Sequence, residues 1–141
     1  WAITDLDKRV ENRTWKPPLD VQGERIALHA SKSYDSDGHG TCATLARQNI
    51  PIAALPSGAI VATALVAGWL HLLPDEGPQR NVIARPAELK RYVDDRWFFG
   101  PVGWILDDVR KLPEPIPCSG ALGLWRVPDD IVKQIEETVT S

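Results

Sequence analysis

Directly after Gly58 stands an almost unbroken apolar series, residues 59–70, interrupted only by Thr63 and Gly68. A segment with no polar face must be covered on both sides, which predicts a central strand inside the fold. The uncharged stretch around it, residues 48–74, invites a membrane reading. Pro51, Pro56, Ser57 and Gly58 break that stretch, and what remains falls short of the roughly 20 residues that a helical span needs. A buried strand fits better, and no membrane partner is expected.

Shorter elements surround this strand. Residues 2–7 suit one or two helical turns. Residues 10–15 alternate and are β-prone at Val10, Thr14 and Trp15; Pro17 and Pro18 close the segment because proline has no amide to donate. Residues 25–31 place Ile26, Leu28 and Ala30 on one face and Ala27, His29 and Ser31 on the other, which predicts a half-buried strand. After turn chemistry at residues 35–40, residues 41–49 predict a short helix with Cys42, Leu45 and Ala46 inward, stopped by Pro51.

Residues 73–82 read as a loop carrying Pro74, Gly77 and Pro78. Pro86 suits the first position of a helix reaching about residue 95, with Leu89 and Val93 toward the core. Residues 102–112 predict another strand, broken by Pro113, Pro115 and Pro117, and residues 121–127 predict the last one. Asp129 then caps a final helix whose Ile131, Val132, Ile135 and Val139 form one stripe. The sum is α+β: five or six strands and three or four short helices, expected to close as a small β-barrel.

The chain has 141 residues, which suits one domain over residues 1–141, and its 43% hydrophobic and 25% charged residues are ordinary for a globular protein. A net charge of -3 argues against coating long duplexes by counterion release and leaves room for a local site. Lys8, Arg9, Arg13, Lys16, Arg25 and Lys32 crowd the first 32 positions, interleaved with acids, so they form either a focused patch or ordinary solvated charge. Cys42 and Cys118 are far apart, which argues against a disulfide framework or zinc knuckle and for a reducing, cytoplasmic setting. The sequence starts at Trp1 and contains no Met, so the natural start is expected upstream.

Chemistry concentrates at Lys8, Glu11 and Arg13. On a strand, Glu11 and Arg13 share one face, and Lys8 can swing onto it from the preceding turn. Arg13 could grip a phosphate or carbonyl through parallel hydrogen bonds, and a desolvated lysine can serve as base or nucleophile. The plainer reading is an ion-paired strand. His29, Ser31 and Lys32 line a second polar edge; histidine suits proton transfer, although a lone strand histidine is more often structural.

Residues 35–40 resemble the start of a calcium loop, but Ala46 stands where the bidentate Glu would be. No zinc spacing, nucleophile elbow or phosphate-binding loop occurs, so no metal site and no cofactor are expected. Among the six tryptophans, Trp104 and Trp125 sit in strand patterns and read as packing, whereas Trp15 and Trp97 are the better platforms for a stacked base.

The series Lys8-x-x-Glu11-x-Arg13-x-Trp15 resembles the ASCH domain, a branch of the PUA-like superfamily. The likeness continues through residues 25–32, through Leu55-Pro-Ser-Gly-Ala-Ile-Val, through Gly103-Trp104-Ile-Leu, and through residues 113–125 ending Gly123-Leu-Trp. Leu6 departs from it where the family has glycine, and a barrel-closing strand is expected before Trp1. The resemblance implies a cleft-bearing β-barrel tied to RNA, single-stranded nucleic acid or modified nucleosides. Some relatives remove an acetyl group from cytidine, and some cut RNA with a divalent metal.

In the amidohydrolase type the motif lysine is functional, a threonine takes the place of Glu11, and a later helix carries a glutamate whose nearest match here is Glu88. The leading expectation is therefore a binding module in which Lys8 and Arg13 hold phosphate or a base carbonyl. In it Glu11 orients them, Trp15 and His29 contribute contacts and Lys32 extends the basic rim. The alternative is a hydrolase of a modified nucleoside such as acetylated cytidine, or a ribonuclease using a divalent metal, in which Lys8 or Glu11 activates water and Glu88 or His29 assists proton transfer. A protein-interaction domain with an inert cleft is the third.

Overall fold

An apolar series without a polar face needs neighbours on both sides, and the computed structural model supplies them. The structure describes residues 1–32, 55–74 and 80–140. In chain order these form α1 (Ala2–Asp5), β1 (Val10–Arg13), β2 (Arg25–Ala30), β3 (Ala59–Leu72), β4 (Val82–Arg85), a 3-10 helix (Ala87–Tyr92), β5 (Val102–Pro117) and α2 (Asp129–Thr140). The class is α+β. Five strands join in one sheet in the order β1-β5-β3-β2, with β4 also paired to β3, so the apolar strand is central. Among the described residues that path is open at β1 and β2, which do not pair with each other, and the expected barrel closure is not formed.

Three expectations are corrected. The prolines do not break β5, which runs through them to Pro117. The Cys118 amide donates to the Gly58 carbonyl at 3.1 Å, and amides alternate sides along a strand, so the amides missing at Pro113, Pro115 and Pro117 fall on the edge away from β3. Leu112 and Ile116, between the prolines, are buried. Residues 121–127 form no strand, and Leu122 and Leu124 are exposed. Val82–Arg85, inside and beyond the expected loop, is a strand too short to declare itself by alternation; it pairs antiparallel with β3 as Trp69↔Arg85 through Leu72↔Val82.

Helices also differ in detail. The turn after Pro86 is 3-10 rather than α, with the Leu89 amide on the Pro86 carbonyl and the Val93 amide on the Lys90 carbonyl. Asp129 lies inside the first turn of α2, where the Pro128 carbonyl accepts from the Ile131 and Val132 amides. The helix expected over residues 41–49 and the calcium-like residues 35–40 lie outside the described residues.

By their contacts the residues fall into two compact units. One comprises Trp1–Leu6, Ala27–Thr63 and Arg110–Ser141. Its core gathers Ile60, Leu112, Ile116 and Ile131, with Ala27, Cys118, Trp125, Val127 and Ile135 packed against them. Full burial of each aliphatic side chain is worth about 1.5–3 kcal/mol, which sets the scale of this cluster. Ala27 therefore belongs to a packed face, and all six residues of β2 are half-buried rather than alternating.

The other unit comprises Asp7–Ile26 and Ala64–Val109. In it β1 pairs antiparallel with β5, from Val10↔Ile105 to Arg13↔Val102. Val10, Val66, Leu70, Phe98 and Ile105 are fully buried there. Gly103 is small by necessity: a Cβ at that position would stand 2.8 Å from Val10 Cγ1 and 2.9 Å from Phe98 Cδ1.

Candidate functional site

Strand pairing sorts the side chains of β1. Val10 and Asn12 turn toward the buried side that holds Phe98, whereas Glu11 and Arg13 share the other face with Trp104, which stands opposite Glu11. On that second face the charges converge. Lys8 Nζ lies 3.8 Å from Glu11 Oε2, and Arg13 Nε lies 3.5 Å from Glu11 Oε1, so one carboxylate is bracketed by two cations, one on each oxygen. The Lys8 side chain is 17% exposed and that of Arg13 47%, so the trio grades from a sheltered end to an open one.

Pairs this long and this exposed contribute less than about 1 kcal/mol each to stability. The backbone ladder to β5 and the burial of Val10 hold β1 in place instead. Arg13 meets Glu11 through Nε, and its remaining guanidinium nitrogens meet no partner among the described residues. They keep the planar donor geometry that suits phosphate or carbonyl oxygen.

Trp15 extends the same face. Its ring meets that of Trp104 edge to face, with centroids 4.9 Å apart, and the Trp104 indole N–H donates to the Trp15 carbonyl at 2.9 Å. Trp104 is buried and Trp15 is 37% exposed, so the outer ring is anchored through the inner one. Trp97 is only 3% exposed, which corrects its place among the stacking platforms. Phe98 beside it is buried as well, capped by the Arg80 guanidinium at 4.8 Å.

Glu88 sits exposed in the first turn of the 3-10 helix of this unit. Its side chain makes no hydrogen bond or ion pair with Lys8, Glu11 or Arg13 among the described residues. No group of three or more His, Cys, Asp or Glu side chains able to hold a metal occurs among the described residues.

His29 and Lys32 belong to the other unit. His29 Nε2 is 2.7 Å from the Cys118 carbonyl oxygen and therefore carries the proton it donates there. The ring packs edge-on to Trp125 at 5.6 Å, and Gly120 lies so close that a Cβ there would be 2.5 Å from His29 Cε1. This is a histidine held by structure. Lys32 is exposed, and its stem lies across Gly58.

One residue of the site escaped sequence reasoning. Asn12 donates from Nδ2 to the Trp97 carbonyl at 2.9 Å, and its Oδ1 accepts the amides of Phe99 at 2.8 Å and Gly100 at 3.2 Å. It fixes β1 against the turn over residues 97–100. The available signal was the presence of Asn in a strand, where that residue is depleted.

No protein-family model matches the chain, and no curated protein matches it. Among the described residues no helix is long and apolar enough to cross a membrane.

Proposed function

We propose that the chain is an ASCH-type, PUA-like domain that binds single-stranded RNA or a modified nucleoside within it, through Lys8, Glu11, Arg13 and Trp15. One observation carries the reading: Glu11 meets Arg13 at Nε and leaves the outer nitrogens of the guanidinium without a partner among the described residues, next to a part-exposed indole. A phosphate or base carbonyl meets the guanidinium, and a base stacks on Trp15. Lys8 adds a second, more sheltered cation, and Glu11 can accept from a base amine. A cytoplasmic setting belongs to the same reading.

Binding of a short fluorescent single-stranded RNA, followed by anisotropy across a salt series, tests it. Arg13→Ala should weaken binding roughly tenfold or more, since a charge-assisted hydrogen bond is worth about 1.5–3 kcal/mol. The salt slope should fall with it. Unchanged affinity in Arg13→Ala, with wild-type protein binding, would remove the guanidinium from the site and the reading with it.

A further inference from the structure

We infer that Lys16 and Arg85 form a second phosphate subsite flanking Trp69, so that this unit takes a stretch of single strand with at least two backbone phosphates rather than a free nucleoside. The inference rests on the nucleic-acid reading above and names its substrate class.

Consecutive residues place the subsite. The Trp15 ring packs on Trp104 of β5, and the next side chain, Lys16, sets its ammonium 4.4 Å from the centroid of the Trp69 ring on β3, the neighbouring strand. Trp69 is 8% exposed, so Lys16 caps what remains open of that ring and is held there by cation–π attraction. Directly opposite Trp69 in the ladder stands Arg85 of β4. Opposed residues of an antiparallel pair project to the same face with Cβ atoms about 4.5–5.5 Å apart. Arg85 thus leaves its strand on the same face as Trp69.

Charge accounting separates these two cations from Lys8, Arg9 and Arg25. Lys8, Arg9 and Arg25 each have a carboxylate partner, in Glu11, Asp7 and Asp108 respectively. Lys16 and Arg85 have none among the described residues, and both are exposed. Lys16 over the Trp69 ring and Arg85 on the strand opposite it give two cations at one aromatic residue, neither with a carboxylate partner among the described residues, and the lysine is already ordered by the ring. Arg13 and Lys16 lie three residues apart on either side of Trp15, at most about 10–11 Å along an extended chain. That order, cation, part-exposed indole, cation, matches phosphate, base, phosphate along a single strand.

The test compares cytidine monophosphate with an RNA tetranucleotide of cytidine, by calorimetry at several salt concentrations. The tetranucleotide should bind more tightly than the monophosphate. Lys16→Gln and Arg85→Gln should each lower the slope of log affinity against log salt by about 0.7, the share of one phosphate on a single strand. Lys16→Arg should restore the slope. Circular dichroism melts of the variants establish that they are folded. Equal affinity for both ligands, or slopes unchanged in both variants while Arg13→Ala still loses binding, would overturn the second subsite and leave the first reading standing. Failure of wild-type protein to bind either ligand would overturn both.

Discussion

Asn12 and Trp97 are joined across 85 positions of chain by a 2.9 Å hydrogen bond from the Asn12 side-chain amide to the Trp97 carbonyl. The other end of the same amide accepts from the Phe99 and Gly100 N–H groups, so one side chain satisfies three main-chain groups of a turn. Buried main-chain groups need such partners. The face of β1 that carries Glu11 and Arg13 is therefore positioned by a residue on its opposite face.

Asn12→Ala should lower the free energy of unfolding by about 1–3 kcal/mol, because the turn loses its partners while partly shielded from water. Asn12→Asp keeps the acceptor for the two amides but sets a carboxylate oxygen against the Trp97 carbonyl, so it should destabilise as well. Urea denaturation with an unchanged slope checks both. A loss in Asn12→Ala under about 0.5 kcal/mol, the range of an ordinary surface substitution, would show that the turn holds itself.

Gly68 permits the contact between β3 and the turn after β4. A Cβ there would stand 2.1 Å from the Arg85 carbonyl oxygen, 2.6 Å from Leu89 Cδ1 and 2.8 Å from Pro86 Cδ. The nearest atom is backbone and cannot swing away, so Gly68→Ala should cost about 1–3 kcal/mol or more. Gly23→Ala is the comparison: it has a φ of +82° but no atom within 4 Å, so only the left-handed strain of about 1–2 kcal/mol remains. Thermal melts of the two variants should differ, with Gly68→Ala lower; the reverse order would contradict the close approach.

Asp5 gives the chain an acid-sensitive tie. Burial alone would raise its carboxyl pKa, but hydrogen bonds from Lys111 at 2.6 Å and Thr4 at 2.8 Å, with the lysine charge, outweigh that and hold it below the ordinary value. A carboxyl whose folded pKa is lowered stabilises the fold above its unfolded pKa, and that contribution is lost as pH falls through the folded one. The difference in melting temperature between wild type and Asp5→Asn should therefore be present at neutral pH and shrink below about pH 4. The contribution stays under about 1 kcal/mol for so exposed a pair. A difference that grew on acidification would carry the wrong sign.

The trio was legible because its geometry is local: strand periodicity puts Glu11 and Arg13 on one face, and Lys8 is near enough in sequence to reach them. The role of Asn12 was not legible, since its partners are at residues 97–100 and no local pattern encodes them. Trp97 and Trp15 looked alike as candidates. Only the packing of the residue 97–100 turn beneath β1 buries one and leaves the other part-exposed.

Composition and order along the chain sufficed for the central place of β3, because a segment apolar on both faces has no stable position except between other elements. The continuation of β5 through three prolines was a different matter. Whether a missing amide costs anything depends on which edge of the strand it occupies, and edges exist only once strands have paired. The subsite at Lys16, Trp69 and Arg85 likewise comes from three separate segments, united by strand register and a cation over a ring, which no one-dimensional spacing records.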